Sequence, residues 1–189
     1  GKFHQVKRMF EALNMKVIFL DIDGVLNSDA WYHYTKALAK QNKRHVYQDT
    51  TAYTNAAYLH SQIDDRAVLN LNYLIEHTNA KIVLSSSWKS TDKDDMRRLV
   101  KALKYKGLQF DDFLDITPFT ESRNRGLEIK MWLDTNMKQH NVESYCIFDD
   151  DIFDILPEQY DNFIHVDRHL GLTYIDTNKA FDILTKNNK

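Results

Sequence analysis

The sequence predicts an α/β fold in which a mostly parallel sheet is covered by helices. Short apolar runs rich in β-branched and aromatic residues alternate with longer stretches of helical period. Three of those runs end directly in a polar residue, Asp21, Ser85 or Asp149. The composition suits one core, since 43% of the 189 residues are hydrophobic while Gly and Pro number only 5 and 2. A single domain over residues 1–189 follows, of a size that hides roughly 70% of its unfolded surface without a disulfide or structural metal.

The first run is 16–20, which stops at Asp21. Asp64 or Asp65 can cap a helix whose stripe is Val68, Leu71, Leu74 and Ile75, and that helix leads into the run 82–84, ending at Ser85. Thr91, followed by Asp92, Asp94 and Asp95, reads as the next helix start, with Met96, Leu99, Val100 and Leu103 as its buried stripe and Gly107 at its C-terminal cap. A weaker run, 113–117, is stopped by Pro118. A helix from about 126 to 137 carries Ile129, Trp132, Leu133 and Met137, then returns the chain to the run 145–148, which ends at Asp149. A fifth run, 163–166, and a helix around 180–184 complete the order. In open parallel sheets ligands bind beyond the carboxyl ends of the strands, so the residues that end these runs are the candidates for chemistry.

Several classes are excluded or disfavoured by composition. The lone Cys146 cannot form an internal disulfide, which points to a reducing, cytoplasmic setting. It does not start a Cys-x5-Arg phosphatase motif either, because the sixth residue after it is Ile152. No apolar run approaches the ~20 residues of a membrane span. The chain opens on Gly, as a tag remnant or excised domain would. A net charge of -2 gives no global field for polyanions, so long nucleic acid is a poor partner. Glycine-rich dinucleotide and P-loop motifs are absent. His165 and His169, with Asp167 between them, could bind a metal, but eight histidines scattered along the chain read as surface residues.

Three clusters remain. Asp21 and Asp23, two apart at a strand end, point to the same side, and Gly24 lets the chain turn away from what they hold. An ionised aspartate attacks phosphorus without a helper base when a cation masks the charge, and a second carboxylate nearby can protonate the leaving oxygen. Ser85, Ser86 and Ser87 offer hydroxyls and N–H groups that hold phosphoryl oxygens, although serines after a strand also serve as turn residues. Asp149, Asp150 and Asp151, with Asp154 beyond, repel one another, and a hard divalent cation such as Mg²⁺ relieves that, as does solvation of an acidic loop.

In this order, the clusters 17–25, 82–85 and 146–150 resemble the signatures of the haloacid dehalogenase-like (HAD) phosphatase superfamily, over nearly the whole chain. The resemblance implies a Rossmann-like three-layer α/β/α sandwich and a Mg²⁺-dependent phosphomonoesterase. It makes Asp21 the nucleophile that becomes an aspartyl-phosphate, Asp23 the general acid/base, and Ser85, with Ser86 beside it, the phosphoryl-binding pair. Asp149 and Asp150 would hold Mg²⁺ with Asp21 and the backbone carbonyl of Asp23. The superfamily also needs a basic residue before the last acidic strand, for which Arg125 is favoured, with Lys130 and Arg123 behind it. Local motifs, Ser85 to Trp88 and Gly171-Leu172-Thr173 among them, look like two groups. One is the HAD domain of RNA-repair proteins; the other is the HAD-type phosphotyrosine phosphatases that intracellular bacterial pathogens deliver into the host cytosol.

The insert 28–62 follows the nucleophile loop and reads as a small cap over the site. Within it, from Trp31 to His60, Lys36, Lys40, Lys43 and Arg44 stand against Asp49 alone, interleaved with Trp31, Tyr32, Tyr34, Tyr47, Tyr53 and Tyr58. Such a surface can stack a ring and attract an anion, or pack as a plain helical hairpin on the body. The expected substrate is a phosphorylated protein, phosphotyrosine first, or a small aryl phosphate, with a polynucleotide 3′-end or nucleotide phosphate as the alternative. A phospho-accepting receiver domain shares the α/β architecture, but its aspartate ends the third strand and not the first.

Overall fold

A computed structural model describes residues 14–41 and 61–186. Five strands form one sheet in the order β3-β2-β1-β4-β5, every pair parallel. They are β1 (Met15–Leu20), β2 (Lys81–Leu84), β3 (Asp115–Ile116), β4 (Val142–Asp149) and β5 (Phe163–His165). The helices are α1 (Asp29–Gln41), α2 (Asp65–Thr78), α3 (Lys93–Tyr105), α4 (Arg125–Asn136) and α5 (Tyr174–Thr185), with a 3-10 turn at Pro157–Asn162. The predicted α/β sandwich is therefore present, and its sheet is wholly parallel among the described residues.

Alternation along β1 sorts the two faces. Ile18 and Leu20 pack with Ile82, Leu84, Cys146 and Phe148 against α2, α3 and α5, while Val17 and Phe19 pack with Val83, Ile147 and the α4 residues Ile129 and Trp132. The Phe19 and Trp132 rings meet edge to face, 5.4 Å apart. Cys146 is fully buried in the first of these layers, and burial pushes its thiol pKa up.

Capping explains where the helix ends differ from the sequence reading. Asp64 is the N-cap of α2, its carboxylate accepting from Arg66 N. In α3 the cap is Asp92 and not Thr91, because the Asp92 carboxylate reaches the N–H groups of both Asp94 and Asp95. The last helix begins at Tyr174, earlier than its apolar stripe suggests, since Thr173 and Asp176 form a reciprocal capping box. β3 shrinks to two residues, and β4 extends back to Val142, which pairs with Met15.

No residue of α1 is buried. Its base is tied to the body: Asp29 N and Ala30 N donate to the carbonyls of Arg168 and His169, and Trp31 Nε1 donates to Ser61 O. Residues 42–60, including Lys43, Arg44, Asp49, Tyr47, Tyr53 and Tyr58, lie outside the described residues. Among the described residues no helix is long and apolar enough to cross a membrane.

Candidate active site

Register brings the polar strand ends together. Leu20 pairs with Leu84 on one side and with Phe148 on the other, so Asp21, Ser85 and Asp149 leave the sheet at one level. The ladder runs one step further, with Asp21 N on Phe148 O at 3.0 Å and Ser85 N on Leu20 O at 2.9 Å. All three residues are buried. In the order 3-2-1-4-5 the chain reverses direction across the sheet between β1 and β4, which is where a crevice opens in such folds.

Asp21, Asp149 and Asp150 each offer a carboxylate oxygen, and these oxygens lie within 4.8 Å of one another. Asp151 stays out of the cluster: its side chain accepts from Phe153 N, and its own N–H donates to Asp149 Oδ1. Gly24 makes the close approach possible, since it holds φ at 77° and a methyl group on it would lie 2.4 Å from Asp150 Oδ2. Among the described residues this is the one group of three potential metal ligands. His169 instead contacts Asp29 at 2.6 Å, and His165 lies 2.8 Å from the Asp150 carbonyl.

Arg125 opens α4 beside the cluster, just after the N-cap Asn124. Its Nη1 is 3.2 Å from Asp21 Oδ1 and 3.4 Å from Asp149 Oδ2, and it donates to the Ser85 carbonyl. Of the three basic candidates it is the one that the structure brings to the carboxylates. Lys130, a turn further along, pairs with Asp134 at 2.6 Å on the helix surface. Arg123 sits in the exposed turn ahead of α4 with a left-handed φ of 53°.

Burial pushes the Asp21 carboxyl up to about 6, against the pull of Arg125 and of the Ile22 N–H. Burial and the neighbouring Asp21 charge push Asp149 up to about 8, again opposed by Arg125. Arg125 faces Asp21 and Asp149, and Arg168 Nε lies 3.6 Å from Asp150 Oδ2, so two guanidiniums meet three carboxylates and a divalent cation would supply the missing positive charge. The donors are all oxygens, the set that Mg²⁺ takes, so the residues fit the ion that the fold family generally uses. The sign of the pH effect follows. Both folded-state values lie above the ordinary 3.8, so the stability these groups give the metal-free protein is fully present below 3.8 and is lost as pH rises from there through about 6 for Asp21 and about 8 for Asp149. Thermal melts should show Mg²⁺ raising Tm more at about pH 8 than at about pH 5. An equal Mg²⁺ gain at both would sink this account.

Ser85 Oγ is fully buried with no hydrogen-bond partner among the described residues, an arrangement that proteins avoid unless a ligand, ion or water completes it. Ser86 Oγ accepts from Trp88 N at 3.2 Å. Asp23 is exposed at the mouth, where Asn27 Nδ2 and Trp88 Nε1 each donate to it at 3.0 Å. Behind the serine loop, Lys89 Nζ is buried against Glu128 Oε2 at 2.7 Å and the Pro118 carbonyl at 2.7 Å, and Glu128 Oε1 accepts from Thr120 N.

Comparison with known families decides what kind of site this is. The profile of the HAD domain in Swiss Army Knife RNA repair proteins matches residues 17–176, spanning β1 to the first turn of α5. The chain belongs to this HAD family. No curated protein and no solved structure matches it. Membership makes it a HAD-type phosphatase domain, and the matched span contains every residue of the carboxylate, serine and Arg125 cluster. Sequence reasoning on this HAD domain assigned no role to Asn27, Trp88, Lys89, Glu128 or Arg168. Trp88 carried a signal, as an aromatic N–H donor closing a run of hydroxyls, whereas Lys89 and Glu128 look like ordinary surface charges until the fold buries them.

Proposed function

We propose that the chain is a Mg²⁺-dependent phosphomonoesterase that works through an aspartyl-phosphate on Asp21 and acts on the terminal phosphate of a nucleotide or polynucleotide. The observation that carries the chemistry is the carboxylate cluster of Asp21, Asp149 and Asp150, whose Arg125 also reaches the carbonyl of Ser85, a residue whose buried hydroxyl has no partner among the described residues. Mg²⁺ held by Asp21, Asp149, Asp150 and the Asp23 carbonyl would mask the repulsion between carboxylate and phosphate. Ser85, with Ser86 beside it, and Arg125 would bind the phosphoryl oxygens. An Asp21 oxygen bonds to phosphorus as the bond to the leaving oxygen breaks, and Asp23 gives that oxygen a proton. Asp23 then takes a proton from water, whose oxygen bonds to phosphorus while the Asp21–phosphorus link breaks and its electron pair returns to Asp21.

The substrate reading rests on the cleft beside Asp23. It measures about 230 Å³ and is lined by Asn27, Ser28, Trp31, Tyr32, Thr35 and Arg168, among others. Hydroxyl and amide groups, with the Arg168 guanidinium that also lies 3.6 Å from Asp150, suit a sugar and a further phosphate better than a bare tyrosyl ring, and the matching family profile is that of a domain in RNA repair proteins. The described parts of the insert, 28–41 and 61–62, form one wall of that cleft, as a small cap would. Its exposed rings keep phosphotyrosine as the second reading, since Tyr32 is 48% exposed at that wall.

A turnover panel with Mg²⁺ should show 3′-phosphorylated oligonucleotides or nucleotides cleaved with higher kcat/KM than phosphotyrosine peptides. EDTA should abolish turnover of all of them. Preference for the peptides would overturn the substrate, and failure on every member, p-nitrophenyl phosphate included, would overturn the phosphatase.

A further inference from the structure

Asp23 sits in an exposed loop, where an aspartate side chain ordinarily samples several rotamers. Here both of its oxygens are held. Asn27 Nδ2 donates to Oδ1 at 3.0 Å, and the Asn27 amide is itself fixed because its Oδ1 accepts from Gly24 N at 2.8 Å. Trp88 Nε1 donates to Oδ2 at 3.0 Å from the other side of the crevice. The two donors differ in origin. Asn27 lies four residues along the same loop, whereas Trp88 belongs to the segment after β2 that carries Ser85 and Ser86, and its ring is partly buried on the main core. The indole therefore transmits the position of the rigid sheet to an otherwise loose carboxylate.

The chemistry of the donor matters as much as its place. A lysine or arginine here would pair with Asp23 as an ion. An indole N–H is a neutral, single donor that cannot accept, so it orients the carboxylate without forming an ion pair. We infer that Trp88 is a positioning residue that aims Asp23 at the oxygen leaving phosphorus. This rests on the phosphomonoesterase reading above and adds to it a group that touches neither phosphate nor metal. The step it serves is the proton transfer from the Asp23 carboxyl to the leaving oxygen as that oxygen takes the electron pair of its bond to phosphorus.

Leaving groups separate this role from general support of the fold. An alkyl phosphate expels a strongly basic oxygen and needs the proton, while p-nitrophenyl phosphate expels a stable phenolate and needs it little. In Trp88→Phe the ratio of kcat on p-nitrophenyl phosphate to kcat on an alkyl phosphate should rise at least ~10-fold, a part of the ~10² to 10⁴ that general acid catalysis supplies in full. In an Asp23→Asn background the same change should leave that ratio where Asp23→Asn alone puts it. An unchanged ratio in Trp88→Phe, with both rates falling together, would overturn the inference, as would a further rise in the Asp23→Asn background. If Asp23→Asn itself left the ratio unmoved, the acid assignment of the phosphatase reading would be what failed. Should Trp88→Phe not fold, replacing the indole by a benzothiophene of the same shape, with sulfur for N–H, gives the same reading.

Discussion

Asp21→Asn is expected to abolish turnover of p-nitrophenyl phosphate, a fall of at least ~10³-fold, while raising the Tm of the metal-free protein. The two effects share one cause. Asp21 is held in a buried site beside Asp149 and Asp150, where its charge is disfavoured enough to lift its pKa to about 6. A neutral amide of the same shape removes the cost of burying that charge, and the weaker repulsion from Asp150, and with them the nucleophile. Melts in EDTA and rates in Mg²⁺ check the two halves separately. Retained turnover would refute the nucleophile; a lowered Tm would show that the bonds from Arg125 and Ile22 N outweigh the repulsion.

Arg125→Ala should act in the opposite sense on stability. Its guanidinium bridges Asp21, Asp149 and the Ser85 carbonyl, so its loss leaves the carboxylates facing one another. Removing one partner of a fully buried ion pair costs about 3–5 kcal/mol. Arg125 keeps 22% of its side chain exposed and the aspartates can take up protons, which places this loss at or below about 3 kcal/mol. Mg²⁺ should recover much of it. Activity should fall ~10²-fold or more even at saturating Mg²⁺, because a positioned donor to the phosphoryl group is gone. Lys130→Ala and Arg123→Ala, at positions away from the carboxylates, should stay within about twofold of the parent. A larger loss in either than in Arg125→Ala would reassign the phosphate contact.

The succession of strands along the chain and the residues that end β1, β2 and β4 were legible because β1, β2 and the second half of β4 are continuous apolar runs, the mark of a sheet covered on both faces. Asp21, Ser85 and Asp149 could be found without coordinates, since a parallel sheet sends ligand-facing groups to one edge. Arg125 could only be favoured. Choosing it over Lys130 takes knowledge of which face of α4 meets the crevice, and position 125 against 130 differs by more than one helical turn. The short β3 and the early start of α5 were hidden for another reason: β3 rests on its pairing with Val83 and Leu84, and α5 on a capping box whose members are polar. Lys89 and Glu128 were illegible because burial of a charged pair leaves no hydrophobic pattern. The cap insert keeps its sequence reading in residues 42–60, which lie outside the described residues.

The Lys89–Glu128 pair bears on how this domain can diverge. Its two side chains are each 6% exposed, and they come from the serine loop and from α4. A lineage that loses one charge leaves the other stranded in the interior, next to the loop that carries Ser85, whereas loss of both together leaves a gap that apolar residues can fill. Positions 89 and 128 should therefore change in step among descendants of this sequence, alternating between an ionic and an apolar pairing with few mixed intermediates. The distance between them along the chain conceals a single heritable unit.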